Sequence, residues 1–109
     1  MKLIIAIVQD EDASHLVNRL MAQDYRVTKL ATTGGFLRSG NTTLLIGVED
    51  DRLTDALDIV EKTCKSRRQV APAPAPISGA AGVYMPYPIE VTVGGATVFV
   101  LDVEQFARY

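Results

Sequence analysis

Cysteine and histidine are almost missing from this 109-residue chain: Cys64 and His15 are the sole members of their types. One cysteine excludes an internal disulfide and a cysteine-based metal site. One histidine and one cysteine also leave no Ser/His/Asp or Cys/His constellation to assemble for nucleophilic catalysis. His15 lies off the apolar stripe of its helix, a place for a solvated side chain, while Cys64 falls on a buried stripe, where it serves as a small hydrophobe. No apolar run approaches the roughly 18 residues that a membrane helix needs. Leu3 to Val8 is too short for a secretion signal and runs straight into Gln9-Asp-Glu-Asp12, so a cytosolic protein without membrane insertion is expected. Excess charge is lacking as well: 11 Lys and Arg against 13 Asp and Glu leave a net charge of -2, which argues against broad binding to nucleic-acid polymers.

What is present suits a single domain spanning 1–109, with 48% hydrophobic and 22% charged residues. Lys2 to Gln9 reads as a strand. Asp10 to Gln23 reads as a helix, because Ala13, Leu16, Val17, Leu20 and Met21 recur at helical spacing behind an acidic first turn. Two further strands, Tyr25 to Ala31 and Asn41 to Val48, precede a second helix with Leu53, Ala56, Leu57, Val60 and Cys64 on one stripe and Asp50 or Asp51 as its cap. The acidic runs Asp10–Asp12 and Glu49–Asp51 are thus explained by capping and the helix dipole, without a metal. Residues 66–88 lose periodicity and pass through Ala71-Pro-Ala-Pro-Ala-Pro76, a composition for a semi-stiff polyproline arm with Tyr84 and Tyr87 near its end. Ile89 to Val93 then turns at Gly94-Gly95 and continues as Thr97 to Val103. The order is α+β and ferredoxin-like (βαββαβ), with an extended final strand or hairpin.

Both faces of the first and last strands are apolar: Leu3, Ile5 and Ile7 on one side, Ile4, Ala6 and Val8 on the other, with Val98 to Leu101 repeating the pattern. Two helices can cover only one face of a sheet, so a second copy of the chain is expected against the other.

The segment Thr32-Thr-Gly-Gly-Phe-Leu-Arg-Ser-Gly40, followed by Asn41-Thr-Thr, carries the functional signal. It contains neither a Walker A sequence nor a Gly-x-Gly-x-x-Gly fingerprint, and on spacing alone it is an ordinary flexible hairpin end. Its contents nevertheless suit an anionic aromatic ligand: glycines that let backbone N–H groups approach a phosphate, Arg38 to pair with it, and Phe36 to stack on a base. The flanking strands add to this. A two-residue period puts Arg26 and Thr28 on one face of the first, and Asn41, Thr43, Leu45 and Gly47 on one face of the second, a plausible floor for a nucleotide.

These residues also carry a resemblance. Met1 to Asp10, Thr28 to Arg38, Gly40 to Thr43, Pro86-Tyr-Pro88 and Val93 to Val100 are similar to the corresponding stretches of the PII-like cyclic-di-AMP receptor proteins of bacteria, across the whole chain. The resemblance implies a homotrimer that holds cyclic di-AMP between neighbouring subunits and performs no chemistry on it, a sensor with no cofactor besides its ligand. By matching positions, Gly35, Phe36 and Leu37 would supply backbone and stacking contacts, and Arg26 and Thr28 would meet phosphate or base. Asn41 and the Gly47 backbone would read an adenine edge, Phe99 of a neighbour would help close the pocket, and Arg108 would reach the ligand from the C-terminus. Asp24 departs from the pattern: it stands where an uncharged amide is expected, and a carboxylate beside a phosphate is repulsive, so it is left out. Residues 66–88 would contact a downstream partner that the sequence does not name. Two other readings stay open, a PII-type sensor of ATP or ADP, and a small nucleotide-processing enzyme for which no base or metal ligand set can be named.

Overall fold

The computed structural model describes residues 1–30, 40–72 and 88–109. The chain runs β1 (Lys2–Gln9), α1 (Asp10–Ala22), β2 (Arg26–Leu30), β3 (Asn41–Val48), a 3-10 turn (Asp50–Arg52), α2 (Leu53–Cys64), β4 (Arg67–Pro72), β5 (Pro88–Val93) and β6 (Ala96–Asp102). Four strands form one antiparallel sheet in the order β2-β3-β1-β6, and β4 and β5 form a separate two-stranded ribbon. This α+β arrangement of a small sheet and two helices is compatible with a ferredoxin-like fold.

Burial follows the two periodicities. Ile4, Ala6 and Val8 of β1 and Leu44, Ile46 and Val48 of β3 point to the helices and meet Ala13, Leu16 and Leu20 of α1 and Ala56, Val60 and Cys64 of α2. Met21, expected on the α1 stripe, is instead 59% exposed, and Val17, Leu53 and Leu57 pack only partly against the core. The helices cover one face of the sheet. On the other, Leu3, Ile5 and Ile7 are half-buried, and Phe99 and Leu101 of β6 stand exposed in this single chain.

Several expectations are corrected. Neither Asp50 nor Asp51 caps α2: both belong to the 3-10 turn, and Asp50 pairs with the Met1 amine at 2.9 Å. Asp12 does more than complement the α1 dipole, because its largely buried carboxylate forms an ion pair at 2.9 Å with Arg67 at the start of β4. The loss of periodicity from residue 66 conceals β4, in which Arg67 to Val70 are all exposed, so burial imposes no alternation on them. Of the expected arm at residues 66–88, the stretch from 73 to 87, with Tyr84 and Tyr87, lies outside the described residues. Nor is Gly94-Gly95 a hairpin turn. β5 pairs with β4 and β6 with β1, so the glycines, at φ 83° and 102°, mark where the chain leaves the ribbon and enters the sheet.

Cys64 is fully buried, and burial pushes its thiol up to about 11, with the Asp12 carboxylate adding to the effect and Arg67 opposing it. A thiol so raised favours the folded state at low pH. Its contribution is complete below the unfolded value of about 8.5 and is lost as pH climbs towards the folded one. Iodoacetamide at about pH 8 should therefore alkylate Cys64 slowly in the folded protein and readily in denaturant, since only the thiolate reacts. Equal rates in the two states would show that the thiol is not shielded.

Candidate functional site

On the open side of the sheet, at the end where β2 begins and β3 ends, a groove of about 810 Å³ is cut between the strands and the C-terminal tail. Its floor follows from the register. Arg26 pairs with Gly47, Thr28 with Leu45, and Leu3 with Gly47, so these side chains share one face across β2, β3 and β1. Gly47 makes the floor flat. It is exposed, and a Cβ built on it meets nothing within 4 Å, so the missing side chain opens space for a ligand and relieves no clash.

The walls come from three turns. At the first, α1 ends in a Schellman motif: the Tyr25 N–H donates to the Leu20 carbonyl at 3.0 Å and the Asp24 N–H to the Met21 carbonyl at 3.0 Å, with Asp24 left-handed at φ 63°. This geometry seats Asp24 at the groove, so a residue set aside on sequence grounds lines it. At the second turn, Glu49 and Arg52 follow β3. The Arg52 guanidinium lies 4.0 Å from the Tyr25 ring centroid and donates to the Gln23 carbonyl at 2.6 Å. The Tyr25 hydroxyl donates to Asp55 Oδ2 at 2.5 Å, with the Arg52 carbonyl a second, longer acceptor at 3.2 Å, and burial together with Asp55 raises its phenol above the ordinary value. At the third, the Val103 N–H bonds to the Met1 carbonyl at 3.1 Å and leads the tail back, so that Phe106, Ala107 and Arg108 close the groove.

Of the residues expected at a ligand site, Arg26, Thr28, Gly47 and Arg108 line this groove. Asn41 does not. It stands at the opposite end of β3, paired with Gln9 and six steps along the strand from Gly47, about 20 Å away. Within one chain the two therefore cannot read the same adenine edge. Phe99 pairs with Ile5 on the open face and is 53% exposed, away from the groove of its own chain. Gly35, Phe36 and Leu37 lie outside the described residues. The base of their segment is described, however. The Asp10 N–H donates to the Gly40 carbonyl at 3.1 Å, the Thr42 hydroxyl bonds to the Asp10 carboxylate, and a Cβ on Gly40 would stand 2.6 Å from Asp10 Oδ2.

Sequence reasoning missed Arg52 and Phe106. Arg52 is one cation after three acidic residues, a pattern that reads as helix capping, and Phe106, 62% exposed, follows the last strand with no periodicity to place it. Chemically, the groove offers three guanidinium groups, Arg26, Arg52 and Arg108, against the carboxylates of Asp24 and Glu49, along a flat apolar floor. Such forks match the paired oxygens of a phosphate. Among the described residues no group of three or more His, Cys, Asp or Glu is placed to hold a metal ion, and no helix is long and apolar enough to cross a membrane.

A sequence model of the cyclic-di-AMP receptor family matches residues 1–109, the full length of the chain. The chain belongs to the cyclic-di-AMP receptor family. A solved structure, described as a functionally unknown protein from Pediococcus pentosaceus, is 48% identical over 99% of this chain and 96% of its own, with a TM-score of 0.78. Membership indicates a receptor of cyclic di-AMP, a family of receptors rather than of enzymes, and fits a ligand bound without a metal cofactor.

Proposed function

We propose that the protein is a cytosolic, PII-like signalling receptor that binds cyclic di-AMP where copies of the chain meet in a homotrimer, and that the bound ligand alters loop conformation to signal to a protein partner. The groove carries this reading: Arg26, Thr28 and Arg108 surround the flat floor at Gly47, next to an apolar sheet face that the helices leave open. A cyclic dinucleotide has two bases and two phosphates. One chain's groove offers cations and a flat surface for part of it, and Asn41 and Phe99, remote from that groove, are available to a ligand shared with a neighbour. Gly35, Phe36 and Leu37 would supply backbone and stacking contacts to it, as the family resemblance implies.

Titration calorimetry with cyclic di-AMP, cyclic di-GMP, ATP and ADP, with product analysis of each mixture and sedimentation of the protein, tests this reading. Saturable heat with cyclic di-AMP, no product and a trimeric mass are expected. Preferential heat with ATP would favour a PII-type nucleotide sensor, and a product would make the protein an enzyme.

Gly47 supplies a sharper test. Gly47→Ala removes a flexible residue from a strand interior where the added methyl meets nothing, so stability should rise by up to about 1 kcal/mol. The same methyl stands on the groove floor between Arg26 and Leu3, so affinity for cyclic di-AMP should fall. Unchanged affinity, with stability measured in parallel by denaturation, would take the ligand off this floor.

A further inference from the structure

We propose that Arg52 is a ligand-binding residue of the groove, a guanidinium held in advance to meet a phosphate of the nucleotide. The inference rests on the receptor reading above and extends it to a residue outside β2 and β3. Arg52 plays no local capping role: its backbone is the N-cap of α2, where short oxygen-bearing side chains are preferred, and its side chain makes no capping bond there. Its head group is nevertheless fixed. It stacks at 4.0 Å on a Tyr25 ring that is itself buried and bonded through its hydroxyl, and it donates from Nη2 to the Gln23 carbonyl at 2.6 Å.

The Gln23 bond alone would make Arg52 a cap for the C-terminus of α1. Its place in the groove wall points further, since one bond occupies one of the five guanidinium hydrogens, and the half-buried side chain stands with Arg26 and Arg108 around the same floor. An anion entering the groove meets a cation whose rotamer freedom is already restricted, so less ordering is required on binding.

Calorimetric titration of cyclic di-AMP into wild type, Arg52→Gln and Arg52→Lys, between about 0.01 and 1 M salt, separates the two roles, because the Debye length shortens from about 30 to 3 Å over that range. Melting of the ligand-free proteins is recorded alongside. Arg52→Gln should bind about tenfold to a hundredfold more weakly at low salt, the expected loss of a charged hydrogen bond. That gap should narrow as salt rises, and Arg52→Lys, which keeps the charge without the fork, should fall between the two. Wild-type affinity in Arg52→Gln, or a loss constant across salt that tracks lowered melting in all variants, would overturn the proposal and leave a helix cap. Failure of wild-type protein to bind cyclic di-AMP at low salt would instead overturn the receptor reading, and this inference with it.

Discussion

Cyclic di-AMP at a hundredfold excess over its dissociation constant should stabilise the protein by about 2.7 kcal/mol, because a ligand that binds only the folded form draws the equilibrium towards it. For a chain of this length that corresponds to a rise in Tm of roughly 10 °C or more. ATP, ADP and cyclic di-GMP at the same concentrations should give much smaller shifts. Two features of the groove support the expectation. Its floor is broad and free of side chains at Gly47, which suits a flat base, and its three arginines serve phosphates held at a distance from one another better than a single dense triphosphate. Guanine should be disfavoured because a mismatched donor at a base edge is left desolvated without a partner. A thermal scan with each nucleotide is the measurement. A larger shift with ATP than with cyclic di-AMP would move the protein to the PII class of ATP sensors.

Gly94→Ala should destabilise the fold by about 3 kcal/mol, as much as many core truncations. Two costs combine there. Gly94 sits at φ 83°, a conformation that costs a residue with a side chain about 1–3 kcal/mol. The new Cβ would also lie 2.8 Å from the Lys65 carbonyl oxygen, 3.0 Å from that of Cys64 and 2.5 Å from Arg67 Nη1. The arginine can swing aside, but the carbonyls belong to the last residue and the C-cap of α2 and cannot, and such overpacking costs a further 1–3 kcal/mol, roughly. Relief by movement of Arg67 would disturb its ion pair with Asp12, and displacement of Gly94 would break its N–H bond to Gln9 Oε1 at 2.8 Å. Gly95→Ala provides the control. At φ 102° it carries the strain, but nothing lies within 4 Å of its Cβ. Urea denaturation should show Gly94→Ala as clearly the less stable of the two, with similar m-values. If the two variants differ by less than about 0.5 kcal/mol, the packing against the α2 terminus is not what requires glycine at position 94.

Much of the helical and strand content was legible in the sequence because it is local. Ala13, Leu16 and Leu20 repeat at helical spacing and all three are buried, while Ile4, Ala6 and Val8 alternate with Leu3, Ile5 and Ile7 and divide between the two sheet faces as that alternation requires. The same two-residue period placed Arg26 with Thr28, and Leu45 with Gly47, before any pairing was known, so part of the groove floor could be named in advance. Which residue of β2 meets which of β3 is a matter of register, and only the folded sheet sets Arg26 opposite Gly47.

β4 escaped because Arg67 to Val70, all exposed in a two-stranded ribbon, are under no pressure to alternate apolar with polar. Asp12 read as a helix-dipole residue because its partner Arg67 is 55 positions away, and Gly94-Gly95 read as a hairpin turn because a turn and a passage between sheets require the same positive φ. The helices and strands are thus written in neighbours two to four residues apart, where backbone period and side-chain polarity decide. The groove is written nowhere locally. Asp24 reaches it through a helix-ending turn, Arg52 through its stacking on Tyr25, and Phe106 and Arg108 through a tail tied back to Met1, so tertiary closure alone brought these distant residues together around one floor.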